Sequence, residues 1–525
     1  MRTIGKMGPE EGQVAGTVTD PLAEESTPGD RAPAVRGRLV DRLDPRLVNV
    51  LTVLGLGLPV VAYFWMLHRY SLNVIVSDQL ADLTVIDHSY THLFDWGSLW
   101  AQHNENRIFF PNLIVVVLAH TTRFNVQIEE SLSGVMLVLS TALIIWSHKR
   151  RSPATPWLYY TPVALLALSV VQYGNALWGF QMAWFLCLLA LATTILLLDR
   201  FTLTWLCMSG AVAAAVIGSF SSLQGLLIWP AGLVLLYHRR RSVPFAVTWI
   251  VAAVLSVAIY FYNFDATAGV PRHIYFWQYP LRTVKSYIFS VGDVIGVPQS
   301  FNGPGNNAVL LLGVVILLLA GWTLVSYGLR RDEVGGAPIG VALICVGLIF
   351  AGTVTAGRIA FGYFAASQSR YTTFDLLVPI GILLAFLGRP SLIVDDRGPE
   401  VSPEERLEVL SEERLGEEAS GDSTRRRASL ALSRFNRSAL PIARWVLAAV
   451  IVIQIVVGLH YAPAGARANY DYQVKAVPVL RNIDHESDLH LFNSVDFFVP
   501  PSYVRRQVRI AERRHLSVFA DPINR

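Results

Sequence analysis

Ser77 to Pro111 reads SDQLADLTVIDHSYTHLFDWGSLWAQHNENRIFFP and holds Asp78, Asp82, Asp87, Asp95 and Glu105 together with His88, His92 and His103. Side chains of these types move protons or bind cations. A carboxylate at a low-dielectric boundary is suited to take a proton from an acceptor hydroxyl as a general base. Asp78 follows the first long apolar run of the chain and is the candidate for that role; the plain alternative is a solvated loop acid. His88 and His92 are spaced i, i+4 and, with Asp95 near by, would share a helical face able to hold a divalent ion. Tyr90, Trp96 and Trp100 are interleaved with them, and that mixture also suits headgroup-level anchors. No complete ligand motif is present, so no metal site is assigned and a divalent ion stays an alternative.

A second set of polar residues punctuates later apolar runs. Gln172, Asn175, Trp178 and Gln181 fall in one short turn, and Ser221, Ser222 and Gln224 in another. Arg282 and Lys285 lie in PLRTVKSYIFSVGDVIGV (280–297), which reads as a helix lying in the interface. Arg358 and Arg370 flank IAFGYFAASQSRYTTF, with Tyr371 beside the second. Cations at such depth are suited to a lipid phosphate, which arginine meets bidentately. Contact with ordinary phospholipid headgroups is the competing account.

The elements that must position these groups follow from composition. Of 525 residues, 53% are hydrophobic and 16% charged, where a typical soluble protein has roughly 25% charged. Fifty-two of the 82 charges fall in 1–47, 389–444 and 463–525, leaving 30 for the other 359 residues. A soluble globular enzyme, a coiled coil and a disordered chain are thereby excluded. A net charge of +4 makes no basic face for nucleic acid. Cys187, Cys207 and Cys345 all lie in apolar runs and form no disulfide framework or zinc motif.

A helix needs roughly 20 apolar residues to cross a bilayer core. Eleven spans are expected, over 48–67, 130–147, 155–172, 182–198, 203–220, 223–237, 243–262, 307–328, 337–356, 375–388 and 444–462. The fold class is therefore an all-α polytopic membrane bundle. Arginines before the first span, Lys149-Arg150-Arg151, Arg200, Arg239-Arg240-Arg241, Arg330-Arg331 and the arginines from 425 to 444 then all face one side. The positive-inside rule makes that side cytoplasmic, with the N-terminus inside and the C-terminus outside. IFFPNLIVVVLA (108–119) is too short to cross, and crossing would reverse every later basic patch; it is expected on or in the outer leaflet. Residues 1–47 read as a disordered cytoplasmic tail, 48–388 as the bundle with outer loops 68–129 and 263–306, and 389–443 as a charged cytoplasmic loop. Residues 444–462 read as the last span and 463–525 as an outer segment, a cap over the site or an ordered tail. Away from their terminal turns the spans hold no ionisable residue, unlike ion-coupled transporters. Chemistry is placed at the outer mouths.

LWAQHNENRIFFPNL (Leu99–Leu113), QYGNALWGFQ (Gln172–Gln181), SSLQGLLIWP (Ser221–Pro230), the GR…SRYTTF stretch (Gly357–Phe374) and RRHLSVF (Arg513–Phe519) resemble, in this order, motifs of poorly characterised bacterial members of the GT-C superfamily of membrane glycosyltransferases. The resemblance covers the chain from about residue 48 onward. It implies a GT-C-like bundle with interfacial helices in the first outer loop, in a bacterial cytoplasmic membrane. It implies a polyprenyl-phosphate-linked sugar donor and an envelope glycan, lipid or protein acceptor. A catalytic acid early in the first loop is implied too, here Asp78. Relatives carry Asp-Asp-Trp where this chain has Asp78-Gln79-Leu80, and His where it has Asn106. Transfer would be inverting: Asp78 takes the acceptor proton, and Arg358 or Arg370, with Lys285 and Arg282 as alternates, meets the leaving phosphate. Glu105, Arg107 and His103 would brace the loop or touch acceptor, and Gln172, Asn175, Gln181 and Tyr371 would line the substrate site. No cofactor is required. The competing readings are a lipid-linked saccharide flippase or transporter, and an envelope polymerase or ligase using a lipid pyrophosphate.

Overall fold

The computed structural model describes residues 43–265, 276–297, 305–328, 337–387, 423–495 and 499–520. Most of the expected tail 1–47, the acidic stretch 395–422 and parts of the loop 263–306 lie outside the described residues. Residues 49–525 pack as one unit; of a second unit, ending at Val48, residues 43–48 are described.

The protein is an all-α polytopic membrane bundle. Among the described residues, seven helices are long and apolar enough to cross a membrane: Pro45–Tyr70, Val126–Arg151, Gly179–Leu198, Val243–Phe261, Asn306–Tyr327, Ala337–Phe361 and Ala439–Arg481. Each covers an expected span. Phe109–Thr122, Trp205–Ser219, Leu223–His238 and Thr372–Leu387 are shorter apolar helices. The last three match expected spans, and Phe109–Thr122 is the segment read as too short to cross.

Two boundaries differ from expectation. Residues 155–172 are not one span but three pieces, Trp157–Tyr160, Thr161–Ala167 and Val170–Gln172. Pro162 opens the middle piece. Beyond it Ser169 leaves helical geometry, accepts a bond from the Val171 N–H, and receives the Gln454 Nε2 at 2.7 Å. An apolar run carries hydropathy across such a break but not helical continuity. Nor does the final helix stop at 462. Ser423–Arg481 is continuous through Pro441, Pro463 and Pro478. Each proline removes one helix N–H. Beyond Pro463, bonds from Asn469 and Gln473 to the Leu177 carbonyl (3.2 and 3.0 Å) hold the extension against the 173–181 turn.

The helices gather two chemically distinct ends. At the basic end, Asp199 is fully buried and paired with Arg239 at 2.6 Å and Arg151 at 3.3 Å. Arg150 there donates to the Leu196 carbonyl and Arg241 to that of Phe201. The opposite end, the loop end, carries residues 71–125 and the turns after 168, 219 and 358. Residues 482–495 and 499–520 fold back over it. The helix Pro501–Arg513 buries Val504, Val508 and Ala511 against the turn Ser77–Ala81 and the helix Asp82–Ser89. The segment after 463 is thus a cap on the first loop.

The acids at the span ends are buried: Glu129 in the first turn of Val126–Arg151, Glu130 directly after it, and Asp375 in the first turn of Thr372–Asp375. Pro280–Gly292 is helical as expected, but one face is packed into the bundle. Ser286, Phe289 and Ser290 are buried, and Gly292 meets the Val309 carbonyl so closely that a Cβ would lie 2.1 Å from it.

Candidate functional site

The site grows from three local features of the loop end. The first is the turn Ser77–Ala81. Ser77 adopts φ +55°, unfavourable for a residue with a Cβ, and its N–H bonds to the Val495 carbonyl at 3.3 Å. The cap therefore grips the backbone immediately before Asp78. Gln79, the residue after it, is buried and donates Nε2 to Glu129 Oε2 at 3.0 Å. Gly179 closes over this pair: a Cβ there would lie 2.2 Å from Glu129 Oε2 and 2.6 Å from Gln79 Nε2. Only glycine permits that approach. Asp82, one turn on, is buried, and burial pushes its carboxyl well above the usual carboxylate range, reinforced by Glu129 and Asp78.

The second feature is a two-residue hairpin in HNENR. Gln102–His103 pairs antiparallel with Asn106–Arg107, in the register Gln102↔Arg107 and His103↔Asn106. Asn104 takes the left-handed φ of +50° at the turn, a conformation asparagine tolerates better than most residues. The hairpin is tied down on both sides. Asn106 Oδ1 accepts from Ser222 Oγ (2.9 Å) and the Leu223 N–H (3.0 Å). Arg107 is buried and donates to the carbonyls of Tyr260, Trp100, Tyr262 and Asn263. These bonds occupy four of the five N–H groups of a guanidinium. Of the roles expected for Arg107, the geometry is that of a brace. Tyr260 OH donates to the Glu105 carbonyl at 2.8 Å.

The third feature is the stretch after Ala337–Arg358. Arg358 donates Nε to Tyr371 OH at 3.1 Å and Nη2 to Glu105 Oε1 at 3.3 Å; neither bond uses its Nη1. Arg370 lies over the Tyr371 ring at 5.2 Å and the Trp178 ring at 5.8 Å, and Trp184 stacks on Tyr371 at 5.9 Å.

These features bring Asp78, His103, Glu105, Arg358 and Tyr371 together. His103 Nε2 is 3.5 Å from Asp78 Oδ1, and its ring packs on Phe180 at 4.9 Å. Asp78 also acts electrostatically on Arg358. Asp78, Glu105 and Arg358 each keep about a third of the side chain open (33, 34 and 28%). This is an assembly of acid, imidazole and guanidinium, held from below and open above. It can accept a proton and meet an anion within one site.

The remaining expected residues stand around it. Gln172 and Asn175 are buried and share Thr373: Thr373 Oγ1 donates to Gln172 Oε1 (3.0 Å) and accepts from Asn175 Nδ2 (2.9 Å). They clamp two site-bearing turns to each other. Gln181 is buried within Gly179–Gln181. Arg282 lies beside Gly362, with Nη2 3.7 Å from where a Cβ would stand, and Lys285 is exposed on the same helix. Sequence reasoning missed Gln79, Glu129 and Tyr260; the adjacent acids at the edge of an apolar run were the available signal. The His88/His92 face does not form, because the helix ends at Ser89 and His88 Nδ1 pairs with Asp95 Oδ2 at 2.9 Å instead. Among the described residues, no three His, Cys, Asp or Glu side chains are grouped as ligands for an ion.

No family model matches the chain, and no curated protein matches it. Among solved structures, it is similar to the crystal structure of ArnT from Cupriavidus metallidurans bound to undecaprenyl phosphate. The two share 12% sequence identity with a TM-score of 0.43, over 89% of this chain and 88% of that one.

Proposed function

We propose that this protein is a membrane glycosyltransferase that moves a sugar from a polyprenyl-phosphate donor to an envelope acceptor at the outer membrane face. The observation that supports it is the convergence of a part-open acid, Asp78, with a part-open guanidinium, Arg358, at the end of the bundle opposite the basic clusters. In this reading Asp78 removes the proton of the acceptor hydroxyl as its oxygen attacks the anomeric carbon. The bond from that carbon to phosphate oxygen breaks on the opposite face, inverting the centre. The phosphate leaves as an anion on its polyprenyl chain. Arg358, oriented by Tyr371 and Glu105, meets that charge, and Arg370 stands one aromatic ring behind it. His103 beside Asp78 orients the carboxylate.

The test uses purified protein in nanodiscs, radiolabelled polyprenyl-phosphate sugars and envelope extract as acceptor source. Wild type should transfer label. Asp78→Asn should lose roughly 10²–10⁴-fold in rate with unchanged thermal stability, since Asp78 makes no buried pair. Full activity in Asp78→Asn overturns the assignment of the base. Lipid movement across liposomes without transfer from any donor overturns the enzyme reading.

A further inference from the structure

The capping helix carries a feature that the transfer site does not use. Residues 501–514, PSYVRRQVRIAERR, hold five arginines and one acid. The apolar face of the helix is spent on the first loop, Arg513 and Arg514 reach Asp87 at the edge of that contact, and Arg506 and Arg509 are exposed. A cavity of about 540 Å³ lies along it, lined by Asp87, Ser502, Arg505, Arg506, Arg509 and Arg513. Arg505, Arg509 and Arg513 are spaced i, i+4, i+8 and form a stripe rising roughly 6 Å per step, the order of one sugar unit in an extended glycan.

Each of the three is braced from behind by a carboxylate. Arg505 Nη1 is 2.6 Å from Asp488, Arg509 Nη2 is 2.6 Å from Asp484, and Arg513 Nη2 is 2.8 Å from Asp87. These contacts leave Nη1 of Arg509 and Nη1 of Arg513 outside them, while Arg506 stacks over Tyr503 at 5.3 Å. The braces fix flexible side chains in one geometry, which lowers the ordering cost of binding. Arg506, Arg509 and Arg513 are exposed.

We infer that this groove binds an acidic glycan, a saccharide chain carrying carboxylate or phosphate at regular intervals, and that this glycan is the acceptor. The binding claim stands on the groove alone; that the bound glycan is the acceptor rests on the proposed transfer reaction. A membrane surface is the less suitable occupant. A helix lying on lipid turns apolar side chains outward, whereas the exposed positions of this one are Ser502, Arg506, Arg509, Glu512 and Arg513.

The probe is polygalacturonate, with neutral dextran as control, measured against the full chain in phosphatidylcholine nanodiscs. Polygalacturonate should bind, dextran should not, and binding should weaken with salt, as exposed charge pairing is screened. Arg506→Gln with Arg509→Gln should weaken binding at least roughly tenfold, from the loss of charge-assisted hydrogen bonds, with thermal stability unchanged. Ser502→Glu, which removes no arginine, should weaken it by repulsion and serves if the double variant is unstable. Asp78→Asn should bind as wild type does. Binding with Asp78→Asn still fully active would leave the groove standing and sink the transfer reading. Absence of binding by wild type, equal binding by both groove variants, or an effect only of phosphatidylglycerol in the nanodisc overturns the proposal.

Discussion

The two ends of the bundle treat charge in opposite ways. At the basic end Asp199 is wholly buried, two arginines close on it, and Arg150 and Arg241 donate to main-chain carbonyls. At the loop end Asp78 faces a histidine at 3.5 Å, and Arg358 is held by a phenol and a part-open carboxylate. A buried acid closed on by two arginines fixes helices. Looser pairing, held in place by an outer layer of braced groups, leaves part-open polar atoms available. Arg107 and Gln79 belong to that outer layer: their polar atoms are spent on neighbours, while Asp78 and Glu105 each stay about a third open.

The same substitution made at each end gives the sharpest contrast. Under the proposed reaction Asp78→Asn should remove transfer and spare the fold. Asp199→Asn should do the reverse: two arginines lose a buried anion, at a cost of about 3–5 kcal/mol, read as a large fall in melting temperature or in yield. An Asp199→Asn protein as stable as wild type would show that the basic end is not held by this pair. Next in size is Gly179→Ala, whose methyl group must displace Glu129 or Gln79. It should cost about 1–3 kcal/mol and lower transfer together with stability. Gly57→Ala, where nothing lies within 4 Å, is its silent counterpart. If the two alanines behave alike, the tight seat under Asp78 is not limiting.

The smallest effect concerns Asp87. Partial burial works to raise its pKa, but Arg514 and Arg513 hold the carboxyl below its ordinary value, which is about 3.9 when unfolded. An acid depressed in the folded state contributes stability above the unfolded value and loses it as pH falls through the folded one. Protease sensitivity of 501–514 should therefore rise modestly below about pH 4. Asp87→Asn should flatten that dependence; an unchanged profile in the variant would separate the cap's docking from this pair.

Legibility followed the physics of each signal. Span positions were readable because length and apolarity are set by the bilayer, and basic flanks add a second, independent mark. Neither reports helix continuity, so the break at Leu168–Ser169 and the passage through Pro463 were hidden. The motif LWAQHNENR marks the segment that holds His103, Glu105 and Arg107, but not its division of labour. Which polar residue braces and which stays open depends on partners such as Tyr260 and Glu129, remote in sequence. Glu129 and Glu130 were passed over because a hydropathy window treats acids at its edge as the start of a loop.

The cap joins parts of the chain made far apart in time. Arg513 and Arg514 meet Asp87 across 426 and 427 residues, and Ser517 reaches Asn73 across 444. During synthesis every helix of the bundle emerges before the segment that grips Ser77. Contacts of such separation form late and slowly. A ribosome that stopped after residue 495 would release a chain with all seven long helices in place. The Asp78 turn in that chain would lack the cap contacts made by residues 501–519, so the loop end of this protein is the last part to mature.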